Sequence, residues 1–400
     1  MKHVSAWALA AVATLAATVA AASAAPAKHQ ANPIVIGMPI ALSGFINFFD
    51  GPFKTGAEIA VADINKKGGL LGRPLKIVTS DTKSDINQGT RAAIDVSNKG
   101  AQFILPTVDY DFGGAAAREA QKRGLIAIST AGNVLFGKSG IGDKLFNLFQ
   151  ATPTEGAVLA EFIYKNLKLR HPYVMLDTTI SYDRDLCRYF SQRWSELAGG
   201  NSLAGQDTFQ NSDTSIASQL TRMKQAKTKP DVIVVCSYPP GGATAMRQIR
   251  GAGFKQPIVT GDSFDGPFWL NAVPNEANTY VATTGIPTPG RDPNAARRAF
   301  FAAYKKKTGK DAPDGNHALA GYAAVQALAI AIKRAGSTDT AKVKDQLEKF
   351  RNENLVIGPT TWTPTCHVAL GAPFEIAKMV KGKMRYVTTV KPTKVPKSTC

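Results

Sequence analysis

Short runs of β-branched and aliphatic residues recur along the chain, with helical stretches between them. Ile34-Val35-Ile36, Phe103-Ile104-Leu105, Ile126-Ala127-Ile128, Tyr173-Val174-Met175-Leu176 and Val232-Ile233-Val234-Val235 are near-continuous apolar runs. Leu75-Lys76-Ile77-Val78 is a further run, broken once. Strands read this way when a parallel sheet is covered on both faces. Between the runs, apolar positions return every three or four residues. Ala57, Ala60, Val61 and Ile64 share one helical face, and Gly68-Gly69 ends that helix. Gly113 to Arg123, Asp183 to Leu197, Asp213 to Lys227 and Gly241 to Arg250 read as helices too. This alternation predicts an α/β fold of two doubly wound, Rossmann-like lobes. The first lobe runs from Ile34 to about Phe149, and the second begins near Ala151. A long helical region, Asn294 to Phe350, follows the last second-lobe strand, Tyr280 to Thr283.

The first 24 residues break the pattern. Lys2 and His3 precede an apolar run from Val4 to Val19, and Ala22-Ser23-Ala24 supplies a small-x-small site. That arrangement is read as a signal peptide cleaved near Ala24, which places the mature chain in the periplasm. The apolar run falls short of the ~20 residues a membrane span needs. No Cys follows it, so a lipid anchor is not expected, and no later stretch is expected to span a bilayer.

Composition narrows the class. The 400 residues are 44% hydrophobic and 20% charged, as in a well-cored soluble protein of two ordinary domains. Net charge is +18, which raises nucleic acid as a partner. The basic residues are scattered, however, with Lys66-Lys67, Arg297-Arg298 and Lys305-Lys306-Lys307 on separate helical stretches. No basic stripe is interleaved with aromatics, so solvated helix faces explain the charge and no nucleic acid partner is expected. The cysteines Cys187, Cys236, Cys366 and Cys400 show no metal spacing. Export permits disulfides. A Cys366–Cys400 bond would tie down the Lys/Pro-rich end, whereas Cys187 and Cys236 read as small buried apolar residues.

Catalytic signals are thin. Gly132 to Ser139 fits the phosphate-loop expression, but Gly140 and Gly142 follow where a helix should start, so the match is fortuitous. The five histidines, His3, His29, His171, His317 and His367, form no metal-ligand pair. No nucleophile elbow is present; Gly261-Asp262-Ser263 lacks its second glycine. No enzyme, cofactor or metal is therefore expected. What remains is a binding site in loops at the carboxyl ends of strands, where open α/β sheets take ligands. The loops Ser43 to Asp50, Asp109 to Gly114, Ser129 to Asn133, Ser181 to Asp183, Ser237 to Pro240 and Asp262 to Asp265 offer hydroxyls, aromatics and carboxylates. A small polar ligand with an apolar part suits that mixture.

Several segments also resemble a known family. Ala41-Leu42-Ser43-Gly44, Gly56-Ala57 and Asn65-Lys66-Lys67-Gly68-Gly69-Leu70-Leu71-Gly72-Arg73-Pro74 are similar to the start of the periplasmic leucine/isoleucine/valine-binding proteins. The likeness continues through Met246 to Phe254, Gly321 to Ala327 and Ile357-Gly358-Pro359. It implies a type I periplasmic binding fold whose lobes are joined by three crossing strands near Gln150-Ala151, Thr283-Thr284 and Pro359-Thr360. Lobe 1 would be residues 33–150 plus 285–358, and lobe 2 residues 151–284 plus 359–390, with 391–400 a loose tail.

The resemblance also implies a monomer that closes on a branched-chain-type amino acid and delivers it to an ABC permease in the inner membrane. Phe49 falls where an aromatic lids the ligand. Asp109 and Tyr110 replace residues that take the ligand carboxylate, Ser129 and Asn133 bound the second loop, and Tyr182 and Tyr238 match pocket tyrosines. Asp262 matches the acid that receives the ligand ammonium. Asp109 and Asp111 would repel a ligand carboxylate unless they turn away, for instance to cap the helix after them. The alternatives are an aromatic acid or amide as ligand, or a sensory role.

Overall fold

The computed structural model describes residues 1, 32–200, 202–286, 292, 294–380 and 382–400. The expected leader, its cleavage site near Ala24, His3 and His29 lie outside the described residues. From Asn32 on, the chain builds two parallel-rich sheets, each covered by helices.

The first sheet takes β1 (Ile34–Ile40), β2 (Leu75–Asp81), β3 (Phe103–Ile104), β4 (Ile126–Ser129) and β5 (Leu145–Gln150), interleaved with α1 (Asn47–Lys66), α2 (Gly89–Asn98) and α3 (Tyr110–Lys122). After α4 (Thr152–Glu161) the second sheet begins with β6 (Pro172–Asp177), α5 (Ser181–Ala198), β7 (Gly205–Phe209), α6 (Ala217–Gln225), β8 (Val232–Cys236), α7 (Gly241–Gly251), β9 (Ile258–Thr260) and β10 (Thr279–Thr283). Then come α8 (Ala295–Thr308), α9 (His317–Ala335), α10 (Thr340–Leu347) and a ribbon of β11 (Glu353–Leu355) and β12 (Gly358–Thr360). The chain closes with β13 (Val368–Ala369), β14 (Phe374–Val380) and β15 (Lys383–Val390).

Strand order is β13-β5-β4-β3-β1-β2 in one sheet and β15-β14-β10-β9-β8-β6-β7 in the other. The continuous apolar runs explain this: β1 and β8 are buried at every position, as strands covered on both faces must be. Within these two sheets, among the described residues, antiparallel pairing is confined to β14, which opposes both β10 and β15 as the first strand of a hairpin added beside β10.

Two expectations about the ends of the lobes need correction. β13 pairs with β5, so the chain is still in the first lobe at Ala369. The third crossing therefore falls between Ala369 and Phe374, later than Pro359-Thr360. The last ten residues are not a loose tail: Cys366–Cys400 is a disulfide, and Thr393 donates through its amide and hydroxyl to Glu161. Cys187 and Cys236 are not separate buried thiols either; they form a second disulfide that ties α5 to the end of β8.

Helix α9 is long and apolar enough to cross a membrane by composition, against the expectation that no such stretch exists. Its apolar residues are instead spent on packing, with most of its side chains buried in the first-lobe core beside α1. Contact between α1 and α9 requires glycine on both. A Cβ at Gly56 would run into the carbonyl of Ala318, and one at Gly321 into that of Phe53.

A candidate binding cleft between the lobes

The site is built where two helix N-termini approach each other from opposite lobes. Helix α3 begins with its own cap: Asp109 is extended, and its Oδ1 accepts from the amides of Asp111 (2.8 Å) and Phe112 (3.1 Å). Asp111, expected to cap α3, does not. Helix α3 starts three residues earlier than the sequence suggested, so Asp111 lies within the first turn, past the cap position. It reaches the other lobe, where it accepts from the Ser181 amide (2.7 Å) and hydroxyl (2.9 Å). Helix α5 has Ile180 at its N-cap and no side-chain cap of its own. Asp111 thus caps α5 across the cleft.

A cavity lies beside this contact. Phe49, Val108, Asp109, Thr130, Gly132 and His317 wall it from the first lobe. Ile180, Tyr182, Tyr238, Asp262 and Ser263 wall it from the second, and Ile46 completes the lining. The lobes also touch through rings: Phe45 stacks on Tyr238 at 6.0 Å and Phe48 on Phe268 at 5.7 Å. Gly132 allows a close approach at the cavity, because a Cβ there would lie 2.6 Å from the Tyr182 ring.

Carboxylates dominate the electrostatics. The Tyr182 hydroxyl lies 2.7 Å from Asp262 Oδ1 and 3.1 Å from Glu155 Oε1, while the Asp262 amide donates to Glu155 (2.8 Å). Burial pushes Asp262 up to about 6, and burial plus the neighbouring Asp262 pushes Glu155 well above its usual range. The pair holds a proton when nothing else neutralises it. Burial, then Asp111, raises Asp109 to about 7. Asp183 is fully buried with neither oxygen hydrogen-bonded among the described residues, and burial with Asp177 beside it raises its carboxyl well above the ordinary range. His317 is driven down to about 4 by burial alone, so its imidazole is neutral, and both ring nitrogens lack partners among the described residues. Neither Lys nor Arg is among the described residues that line the cavity.

The residues singled out from sequence divide. Phe49, Asp109, Tyr182, Tyr238 and Asp262 meet at the cavity. Tyr110, Ser129 and Asn133 do not line it. Tyr110 packs edge-on against Phe136, Ser129 accepts from the Ala131 amide to shape its own turn, and Asn133 donates to Asp185 across the lobes. Each lies one to three residues from a lining residue, where the helix or turn carries its side chain away from the opening. Sequence reasoning missed His317 and Glu155. Both come from the first turns of helices outside the strand-end loops, and nothing local marks them. Among the described residues no group of His, Cys, Asp and Glu is arranged to hold a metal.

Comparison with known proteins agrees with this geometry. A family model described as periplasmic binding protein matches residues 33–383. The Leu/Ile/Val-binding protein BraC3 of Rhizobium johnstonii is 27% identical over 375 residues, covering 93% of this chain and 98% of that protein. The Leu/Ile/Val-binding protein of Escherichia coli K12 is 25% identical over 332 residues, covering 83% of this chain and 87% of that protein. Among solved structures, the branched-chain amino acid transporter substrate binding protein LivJ of Streptococcus pneumoniae, in complex with isoleucine, superposes with a TM-score of 0.78. It is 25% identical and covers 90% of this chain and 100% of its own. A solute binding protein of R. palustris in complex with benzoate, 16% identical with a TM-score of 0.74 over 90% of this chain and 97% of its own, shares the fold.

Proposed function

We infer the role of this chain from the fact that it belongs to the periplasmic binding protein family. In this reading it is the extracytoplasmic substrate-binding component of an ABC importer. Its inter-lobe cleft encloses a small amino acid-like ligand by hinge closure and presents it to an inner-membrane permease. The observation that carries the reading is the Glu155–Asp262 pair: two buried carboxylates bridged by Tyr182, of which Asp262 lines a cavity shared by both lobes and Glu155 lies behind it. An ammonium there would replace the proton the pair otherwise holds. The apolar part of the ligand would lie among Ile46, Phe49, Val108 and Ile180. Burying one such side chain supplies ~1.5–3 kcal/mol, and micromolar affinity requires ~8 kcal/mol. Charge-assisted hydrogen bonds at the polar ends supply much of the remainder.

Among the described lining residues, Ser263 gives its hydroxyl to a carbonyl and His317 has no hydrogen-bond partner, which fits a cleft that encloses and releases its guest. Export by a leader cleaved near Ala24 accompanies the proposal. Small-angle scattering with a panel of amines, amino acids and amides tests it. A bound member should shrink the radius of gyration and raise the melting temperature, and a profile that no solute alters would overturn it.

A further inference from the structure

The cavity wall is rich in hydrogen-bond acceptors and short of donors. A ligand carboxylate in such a cleft needs amides, hydroxyls or a cation. Several of the nearby backbone amides are already engaged. Those of Asp111 and Phe112 serve Asp109, that of Val108 serves Asp50, that of Ala131 serves Ser129, that of Ser181 serves Asp111, and that of Asp262 serves Glu155. The start of α3 is thus occupied by Asp109, and the first amide of α5 by Asp111. Ser263 spends its hydroxyl on the Ser237 carbonyl, and Tyr182 spends its own on Asp262. The side-chain donors left over among the described lining residues are the unpartnered Thr130 hydroxyl and one N–H of His317, both more than nine-tenths buried. Set against them are Asp109, the Glu155–Asp262 pair and the unpartnered Asp183 beneath the wall.

We propose that the cleft selects a ligand that donates hydrogen bonds at both ends, an amine toward Asp262 and a carboxamide or second amine toward Asp109, and rejects free carboxylates. The proposal rests on the solute-binding reading above and names the chemistry of the guest. Asp109 Oδ1 is committed to the α3 amides, so its other oxygen is the group a ligand N–H would meet. A carboxylate placed there would face Asp109 at short range inside a cleft screened from water, with Asp111 and Asp183 close behind. A carboxamide carries no charge, and its NH₂ supplies the donor that the wall lacks. The neutral His317 and the Thr130 hydroxyl each accept or donate, which suits an amide carbonyl or N–H equally.

Matched acid–amide pairs test this by isothermal titration calorimetry on the purified mature chain: L-leucine against L-leucinamide, L-phenylalanine against L-phenylalaninamide, benzoate against benzamide. Within at least one amino acid pair the amide should bind ten-fold or more tighter than the acid. Asp109→Asn keeps the helix cap, since Asn caps as well as Asp, and should shrink that preference at least five-fold. Asp262→Asn should weaken both members of a pair alike. An acid that binds as tightly as its amide overturns the proposed ligand class and leaves the solute-binding reading standing. No heat from any member, together with an unchanged scattering profile, overturns both.

Discussion

Helices α3 and α5 begin within hydrogen-bond reach of each other, yet their first turns are satisfied in opposite ways. Helix α3 is complete within its own lobe, because Asp109 takes two of its orphan amides. Helix α5 is incomplete within its lobe and receives Asp111 from the other. The first arrangement stabilises a lobe; the second stabilises contact between lobes. The difference shows how one short acidic segment, Asp109-Tyr110-Asp111, can serve folding and closure through residues two positions apart. It also explains why the first-lobe wall has little left to offer an anion, while the Glu155–Asp262 pair on the second-lobe side keeps its capacity for a cation.

The largest effect should come from the unspent pair. Asp262→Ala is expected to cost ~3–5 kcal/mol of binding, because a buried ammonium would lose its partner. Calorimetry that shows unchanged affinity would remove Asp262 from the site. Next, Gly56→Ala should lower stability by more than 2 kcal/mol in chemical unfolding, since the α1–α9 contact must open to admit a methyl group. That change breaks the first lobe without touching either helix start, and so gives a baseline for damage unrelated to the cleft.

Asp111→Ala should weaken ligand affinity by about ten-fold through the lost α5 cap, roughly 1–2 kcal/mol, and leave the unliganded melting temperature nearly unchanged. Asp109→Ala should do the reverse at the level of the fold, lowering that melting temperature by the ~1 kcal/mol worth of a cap. If both variants melt alike and bind alike, the contrast between the two helices fails.

The smallest effect is the pH dependence. Asp262 stands at about 6, above its ordinary 3.8, so the folded state prefers its protonated form. In the unliganded protein its contribution to stability is complete below about pH 4 and is lost as pH rises through 6. An amine ligand needs the ionised form, so affinity should strengthen as pH rises through 6. Burial raises both carboxyls, and the charges of Asp262 and Asp265 raise Glu155 further, whereas the Tyr182 hydroxyl, by donating, works in the opposite direction on both. A ligand-induced rise in melting temperature at pH 5 equal to that at pH 7.5 would contradict this.

Much of the fold was legible in the chain. Unbroken apolar strands and three-four periodic helices suffice to predict two parallel-rich lobes, and the loop segments at strand ends include Asp262, Tyr182 and Tyr238, which line the cavity. What was illegible depends on offsets and on contacts far apart in the chain. The start of α3 decides whether Asp109 or Asp111 is the cap, and a shift of three residues exchanges their roles. His317 opens a helix far along the chain and reaches the cavity only because α9 packs on α1. β13 is two residues long, too short to register as a strand before β5 gives it a partner. Cys187 and Cys236 come together because α5 lies over β8, which neither local pattern reveals.

The closing segment of the chain links the lobes in a further way. Thr393 and Lys394 are moored to Glu161 and Glu196 on the second-lobe helices, while Cys400 is bonded to Cys366 beside β13 in the first. Lys394 and Cys400 are six positions apart, a leash of about 20 Å at full stretch. However wide the jaws swing to admit a solute, this strap fixes an outer limit on their travel for as long as its sulfur link stays oxidised.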